Sequence, residues 1–253
     1  VHCLVLDMAD GAFDDQYIGC TEQMGYRTLA LLEAEMESDP IFRGSWEKAA
    51  WEFRKRRFNS SLPLLPQGFQ EEHGIALLVY TDKNYPSPDN SFPSLFNKLM
   101  RTSVSSLEDY QQNFPYKALH YYLTTALHLF QPECRVVYRG IRDVHFEPPR
   151  ETKANIRFGQ FTSSSFSQAT AKGFGQDSFF HITTCYGVNI GLLSTDRTEN
   201  EILIPGEEMF QVSMYRVEGH QFVLNSTKRR CHHYNCALLG GNKDQSKAIS
   251  VCD

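Results

Sequence analysis

The sequence has no surplus of positive charge. Its 25 lysines and arginines against 30 aspartates and glutamates leave a formal charge of −5 and a pI near 6.0. A protein that neutralises a phosphate backbone needs the opposite balance, so nucleic acid is not an expected partner. The dense basic runs, Arg54-Lys55-Arg56-Arg57 and Lys228-Arg229-Arg230, read as solvated helix ends or loops. No stretch approaches the roughly 20 apolar residues of a membrane span. No leader-like segment heads the sequence either, and an anchor outside these residues stays compatible with it. Internal repeats and low-complexity segments are missing too. What remains is an ordinary globular composition, 41% hydrophobic and 22% charged over 253 residues, enough for one large domain or two small ones.

Also missing is any CxxC pair. The seven cysteines are scattered, which favours disulfides over a zinc site. The nearest approach to a metal motif, Cys231-His232-His233-Tyr234-Asn235-Cys236, puts four potential ligands within six residues and would crowd a tetrahedral ion. No metal is therefore expected. Two sequons, at Asn59 and Asn225, agree with an oxidising secretory route, and together with the cysteines they place the chain outside the cell.

Residues 1–130 read as mainly helical. Met24, Leu29 and Leu32 recur at helical intervals over 20–37, and Ser38-Asp39-Pro40 ends that pattern. Trp46, Ala50 and Phe53 form one apolar stripe over 45–57, followed by a Pro/Ser-rich loop at 59–67. The run HGIALLVYT (73–81) fits a buried strand or a buried helix, and periodicity does not separate them. Short helices are expected at 96–100 and 107–112 and a longer one over KALHYYLTTALHLF (117–130). His120 and His128 on the latter read as core or surface histidines rather than ligands. From 131 onward the texture changes to strands: 135–141, 155–165, 178–187, 201–205, 208–217 and 220–227, with a short helix at 167–175. Helices first and strands later indicate an α+β fold, taken as a single domain over 1–253.

Three strand-end features share residues 135–205. Arg139 stands in VYRG, where Gly140 lets a backbone or a ligand approach closely. Ser163 belongs to a hydroxyl cluster closing FGQFTSSS. The third is TENEILIPG (198–206), in which strand alternation would aim Glu199 and Glu201 to the same side. An arginine fork suits phosphate, a hydroxyl can orient a ribose or a carboxylate, and paired carboxylates suit a developing sugar cation and a base. Taken singly, each could be an ion pair, a turn or a solvated strand edge.

In this order, the features resemble the vertebrate ecto-mono-ADP-ribosyltransferases, the branch with an Arg–Ser–Glu-x-Glu signature shared with clostridial-type toxins. The resemblance extends through FDDQY (13–17), YIGC, HGIALLVYT, FPYKALHYYLTTAL, VYRG, RFGQFTSSS, ILIP and YNC. It implies an ADP-ribosyltransferase-like core of two small, roughly perpendicular β-sheets forming an NAD cleft beside a helical N-terminal region. It also implies that 73–81 is helix, and that Cys20 pairs with Cys236 and Cys134 with Cys185. Cys231 with Cys252 is a guess by remainder, leaving Cys3 over.

Carried over by position, the resemblance implies that Arg139 holds the pyrophosphate and Gly140 the nicotinamide amide. Ser163 would orient Glu201 and the ribose, Phe174 would pack on nicotinamide, and Glu201 would stabilise the ribose cation. Glu199, in place of the glutamine that accompanies hydrolysis alone, would receive an arginine acceptor. Tyr186 to Thr198 becomes a candidate acceptor-recognition loop. The expected function is transfer of ADP-ribose from NAD⁺ to arginine side chains of extracellular proteins or to small guanidino compounds. Alternatives are an NAD⁺ glycohydrolase using water, and a catalytically silent binding module of the same fold.

Overall fold

The computed structural model describes residues 2–102, 106–151, 153–240 and 251–252. In the first half lie helices α1 (Thr21–Ser38), α2 (Pro40–Phe58), α3 (Glu71–Thr81), α4 (Phe92–Thr102), α5 (Leu107–Asn113) and α6 (Lys117–Leu129). Short strands β1 (His2–Val5), β2 (Pro86–Ser87) and β3 (Asn90–Ser91) accompany them. The second half holds β4 (Arg135–Ile141), β5 (Val144–Glu147), β6 (Asn155–Ile156), β7 (Thr162–Ser165), α7 (Gln168–Phe174), β8 (Ser178–Thr184) and β9 (Val188–Asn189). It closes with β10 (Glu201–Ile204), β11 (Glu208–Arg216), β12 (Gln221–His232) and β13 (Val251–Cys252).

The expected break at Ser38-Asp39-Pro40 is a joint between two helices rather than the start of a loop. The Asp39 carboxylate accepts from the backbone N–H of Ile41 and Phe42 at 2.9 and 3.1 Å, and Pro40 opens α2, where its missing N–H costs nothing. The apolar pattern of α1 is only partly core: Met24 and Leu32 are buried, whereas Leu29 is 55% exposed. In α3 every residue from His73 to Thr81 is buried, so no polar face existed to give a helical period. Its start is marked locally instead. Gln70 and His73 cap each other, and Gly74 lets the Phe53 ring pack at a distance that a Cβ would reduce to 2.0 Å. The basic end of α2 is more than solvated surface: Arg54 and Arg57 pair with Glu71, while buried Arg56 donates to the Ser194 carbonyl at 2.8 Å.

Nine strands follow one hydrogen-bonded path, β6-β11-β12-β8-β4-β7-β10-β9, with β13 added on β12, while β1 pairs with β5 and β2 with β3 in separate two-stranded ladders. The path narrows between β4 and β7 to a single pair, Tyr138 with Ser165. That neck divides it into two small sheets, as expected. The strand expected over 155–165 splits into β6, paired with β11, and β7, paired with β10 and β4. Arg157 causes the split. Its guanidinium is buried, paired with Asp14 at 2.6 Å, and donates to the carbonyls of Met8, Ala9 and Cys231, which pulls the chain out of the ladder. Gly159, at φ +69°, completes the bend.

Asp14 and Asp15 of FDDQY tie the two ends of the chain together. Asp14 accepts from the backbone of His233 and Tyr234, and Asp15 from Tyr17, Cys236 and Ala237. Disulfides join Cys20 to Cys236, Cys134 to Cys185 and Cys231 to Cys252, and Cys3 is a free, exposed thiol. Both cysteines flanking the His-His pair are thus oxidised, and neither offers a thiolate to a metal. His120 is a core residue, 1% exposed and bonded to the Tyr17 hydroxyl.

Candidate active site

At the neck between the two sheets opens a cleft of about 270 Å³, lined by all six sequence-predicted residues, Arg139, Gly140, Ser163, Phe174, Glu199 and Glu201. Three elements of the sheet half meet there. β4 carries Arg139 and Gly140, β7 carries Ser163, and β10 begins at Glu201, paired across to Ser165. Arg139 donates from Nη1 to the Ser163 carbonyl at 2.7 Å, fastening β4 to β7 where the ladder is thinnest. Burial lowers the pKa of this guanidinium from its ordinary value, while Tyr80 and Glu201 oppose the shift.

Gly140 is required by a neighbouring backbone. A Cβ there would stand 2.1 Å from the Ala171 carbonyl oxygen and 2.3 Å from that of Gly175, so the glycine lets α7 lie directly on β4. That contact places Phe174, the last residue of α7, at the rim of the cleft, 41% exposed.

The two glutamates share the cleft by a route that strand alternation does not describe. Glu199 lies in a 3₁₀ turn, Arg197–Glu199, and Asn200 follows in the left-handed conformation at φ 48°, ψ 53°, before the strand starts at Glu201. Asparagine tolerates that conformation better than most residues. The turn is pinned by Ser165, whose hydroxyl donates to the Glu199 carbonyl at 2.6 Å, and by Asp196, which accepts from the Thr198 N–H. Glu201 is 2% exposed, and neither carboxylate oxygen has a partner in full hydrogen-bond geometry, the Ser163 hydroxyl being near enough to favour the charged form. A charged group so placed is costly, and such orphans concentrate where a ligand supplies the partner. Burial raises its pKa and the Glu199 charge adds to the rise, while Lys83, Ser163 and Arg139 oppose it.

Sequence reasoning missed the contribution of the helical half. Tyr80 on α3 donates to the Phe161 carbonyl and receives the Asn97 amide, and both side chains line the cleft. Asn97 Oδ1 is buried without a donor. Lys83, just past α3, makes a very short ion pair with Glu199, and its ammonium lies 4.2 Å from the centre of the Phe174 ring. The only trace of it in the sequence was a lysine two residues beyond an apolar run.

The 186–198 segment is packed rather than free. Val188, Ile190 and Leu193 are buried, and Thr195 bonds both Thr81 and the Leu78 carbonyl. Tyr186, its one aromatic, lies outside the cleft under Arg230. What this segment presents at the surface is Asn189, Leu192, Thr195, Asp196 and Thr198.

Residues 6–232 match the model of the family described as NAD:arginine ADP-ribosyltransferase. Ecto-ADP-ribosyltransferase 5 of Bos taurus is 41% identical over 95% of this chain and 76% of its own length. The erythroblast NAD(P)(+)–arginine ADP-ribosyltransferase of Gallus gallus is 36% identical over 93% of this chain and 76% of its own. Among solved structures, the eucaryotic mono-ADP-ribosyltransferase ART2.2 superimposes with a TM-score of 0.78 at 36% identity, covering 92% of this chain and 98% of that one. Structures of ART2.2 variants hold NADH or NAD.

Proposed function

Because the chain belongs to the NAD:arginine ADP-ribosyltransferase family, we propose that its cleft transfers ADP-ribose from NAD⁺ to a guanidino nitrogen, with the two glutamates dividing the work. The observation that carries this reading is the buried, unpartnered carboxylate of Glu201 facing the same cleft as Arg139, Ser163 and a second carboxylate. Arg139 has donors beyond the one it spends on the Ser163 carbonyl, and these suit a pyrophosphate. Ser163 orients the ribose and Glu201. Phe174 and the β4 backbone at Gly140 receive the nicotinamide end.

When the C1′–nitrogen bond breaks, nicotinamide leaves as a neutral molecule and positive charge builds on the ribose. A fixed carboxylate close to the sugar stabilises that oxocarbenium-like transition state most strongly where water is excluded. Glu201 is fitted for this only when ionised, and Lys83, Arg139 and Ser163 favour that form against burial. Glu199 receives the acceptor. A guanidinium has a pKa above about 12 and attacks poorly until a proton leaves. Glu199 binds the cation and takes the proton as the nitrogen–C1′ bond forms.

One observation supports hydrolysis as a second outcome of the same site. Lys83 already holds Glu199, so without a competing guanidinium the attacking group is water. Incubation with labelled NAD⁺ and agmatine separates the two: ADP-ribosylagmatine marks the transferase, and free ADP-ribose without adduct marks the glycohydrolase. A folded, oxidised sample that releases no nicotinamide contradicts both and favours a silent binding module.

The setting is extracellular in this reading, secreted or at the cell surface, with arginine-bearing proteins as acceptors. Three disulfides suit an oxidising compartment, the sequon residues Asn59 and Asn225 are both exposed, and no described helix is long and apolar enough to cross a membrane. The helical core continues into the strand half through Phe161, Val188, Ile190, Leu193 and Leu203, which supports treating residues 1–253 as one domain.

A further inference from the structure

A second cavity, of about 580 Å³, shares no lining residue with the catalytic cleft. It lies between the end of α6 and the segment joining β10 to β11. Leu127, Phe130, Phe161 and Pro205 give it apolar walls, and its polar groups gather around Glu207, Arg230 and His232. Arg230 and His232 belong to the basic run and the Cys-His-His cluster that stand out in the sequence and that the transferase reaction leaves unused.

One of these groups lacks the partner its burial calls for. Arg230 Nε is buried and donates to nothing, while its guanidinium lies 4.8 Å from the centre of the Tyr186 ring. An arginine resting over an aromatic ring is steadied by it. Glu207 is 5% exposed, and its carboxyl is met by its own backbone N–H and by the charge of Arg230. His232 Nδ1 donates to the Tyr234 carbonyl at 3.0 Å, which fixes the ring and leaves Nε2 as the nitrogen not so engaged. Apolar walls with a few convergent polar groups at one end are the ordinary make-up of a small-molecule site.

We propose that this cavity binds a small aryl carboxylate, its ring between Phe130, Phe161 and Pro205 and its carboxylate on the Arg230 guanidinium beside the carboxyl of Glu207. A second acid beside an anion is compatible if it carries a proton. Burial pushes Glu207 up to about 7, Asp14 and Glu208 add to the rise, and Arg230 opposes it. Below that pH, Glu207 presents an O–H to the ligand. The neighbouring imidazoles on the same cavity are His128, whose Nε2 is bonded to Gln16, and His232. The site is also continuous with the catalytic strands: Phe161 stands two residues before Ser163, and Pro205 directly follows β10. The proposal rests on this cavity alone and not on the reaction assigned to the cleft.

The probe is 3-phenylpropionate, titrated calorimetrically into the oxidised protein at pH 6, with 3-phenylpropanol as its uncharged counterpart. The expected result is saturable one-to-one binding that excess NAD⁺ does not displace. It weakens by about tenfold or more for the alcohol and in Arg230→Gln, as loss of a charge-assisted hydrogen bond implies. Arg230→Lys keeps the charge and the strand but loses the fork, and it weakens binding as well. Circular dichroism establishes that both variants are folded. Absence of saturable binding, equal binding of the alcohol, undiminished binding in Arg230→Lys, or displacement by NAD⁺ each overturns the proposal.

Discussion

Lys83 clasps Glu199: its ammonium makes a very short ion pair with the carboxylate while lying 4.2 Å from the centre of the Phe174 ring. One cation from the helical half thereby spans the acid we assign to the acceptor and the aromatic we assign to nicotinamide. It also lowers the pKa of Glu201, which burial raises.

An arriving guanidinium competes with Lys83 for Glu199. Lys83→Met is therefore predicted to lower the KM for agmatine by about three- to tenfold, since a partly exposed ion pair is worth about 1 kcal/mol. The same change removes a charge that favours ionised Glu201, so its pKa rises further. The acid limb of kcat/KM for nicotinamide release, followed without acceptor, is expected to move to higher pH. A limb that stays in place, with KM unchanged, would separate Lys83 from both roles.

Glu199→Gln keeps the shape of the side chain and loses its charge and its basicity. Transfer to agmatine is expected to fall about a hundredfold while hydrolysis stays within about threefold, because water needs less help than a guanidinium does. Product analysis by chromatography reads both from one reaction. Equal loss of the two products would contradict the division of labour.

Gly140→Ala tests why a glycine follows the arginine. The added methyl meets two backbone carbonyls of the α7 segment, at 2.1 and 2.3 Å, and backbone cannot swing aside as a side chain can. A loss of about 3 kcal/mol in a denaturant titration is expected, together with poorer NAD⁺ binding as α7 and Phe174 are displaced.

Glu35 sets part of the pH dependence of stability. It accepts from the backbone N–H of Lys117 and Ala118, and burial raises its pKa from an ordinary 4.5 to about 8. The folded state then holds a proton that the unfolded chain has released, so this contribution is full below 4.5 and is lost as pH rises toward 8. Glu35→Gln keeps an acceptor oxygen and removes the ionisation. It is expected to raise Tm at pH 8 by the equivalent of about 1 kcal/mol after allowing for partial exposure, and to change little at pH 5.

The parts of the fold readable from the residues were those with local punctuation or a one-sided apolar face. Trp46, Ala50 and Phe53 gave α2 its stripe, and ILIP closing on Pro205-Gly206 gave β10. Where a segment is buried on every side, as in α3, the pattern vanishes, and the resemblance supplied the helix. Arg157 looked like one polar residue in a strand, yet its guanidinium is satisfied by residues nearly 150 positions earlier and more than 70 later. Nothing local encodes that. In the site, Arg139, Ser163, Glu199 and Glu201 were singled out by their order and the resemblance it carries, and the four line one cleft. The reason for the Glu199 orientation was not legible, because a 3₁₀ turn and a left-handed Asn200 stand where strand alternation was carried back from Glu201 to Glu199. Lys83, Tyr80 and Asn97 were invisible, since only tertiary packing carries α3 and α4 to the sheets.

The most direct test of the account is nicotinamide release from NAD⁺ by Glu201→Gln beside the unchanged protein, both folded and with their disulfides intact. If the Glu201 carboxylate carries the charge of the breaking glycosidic bond, release falls by about a hundred- to a thousandfold with or without agmatine, while NAD⁺ still binds. Release at the original rate from the variant would mean that the buried, unpartnered carboxylate at the head of β10 is not where the chemistry happens.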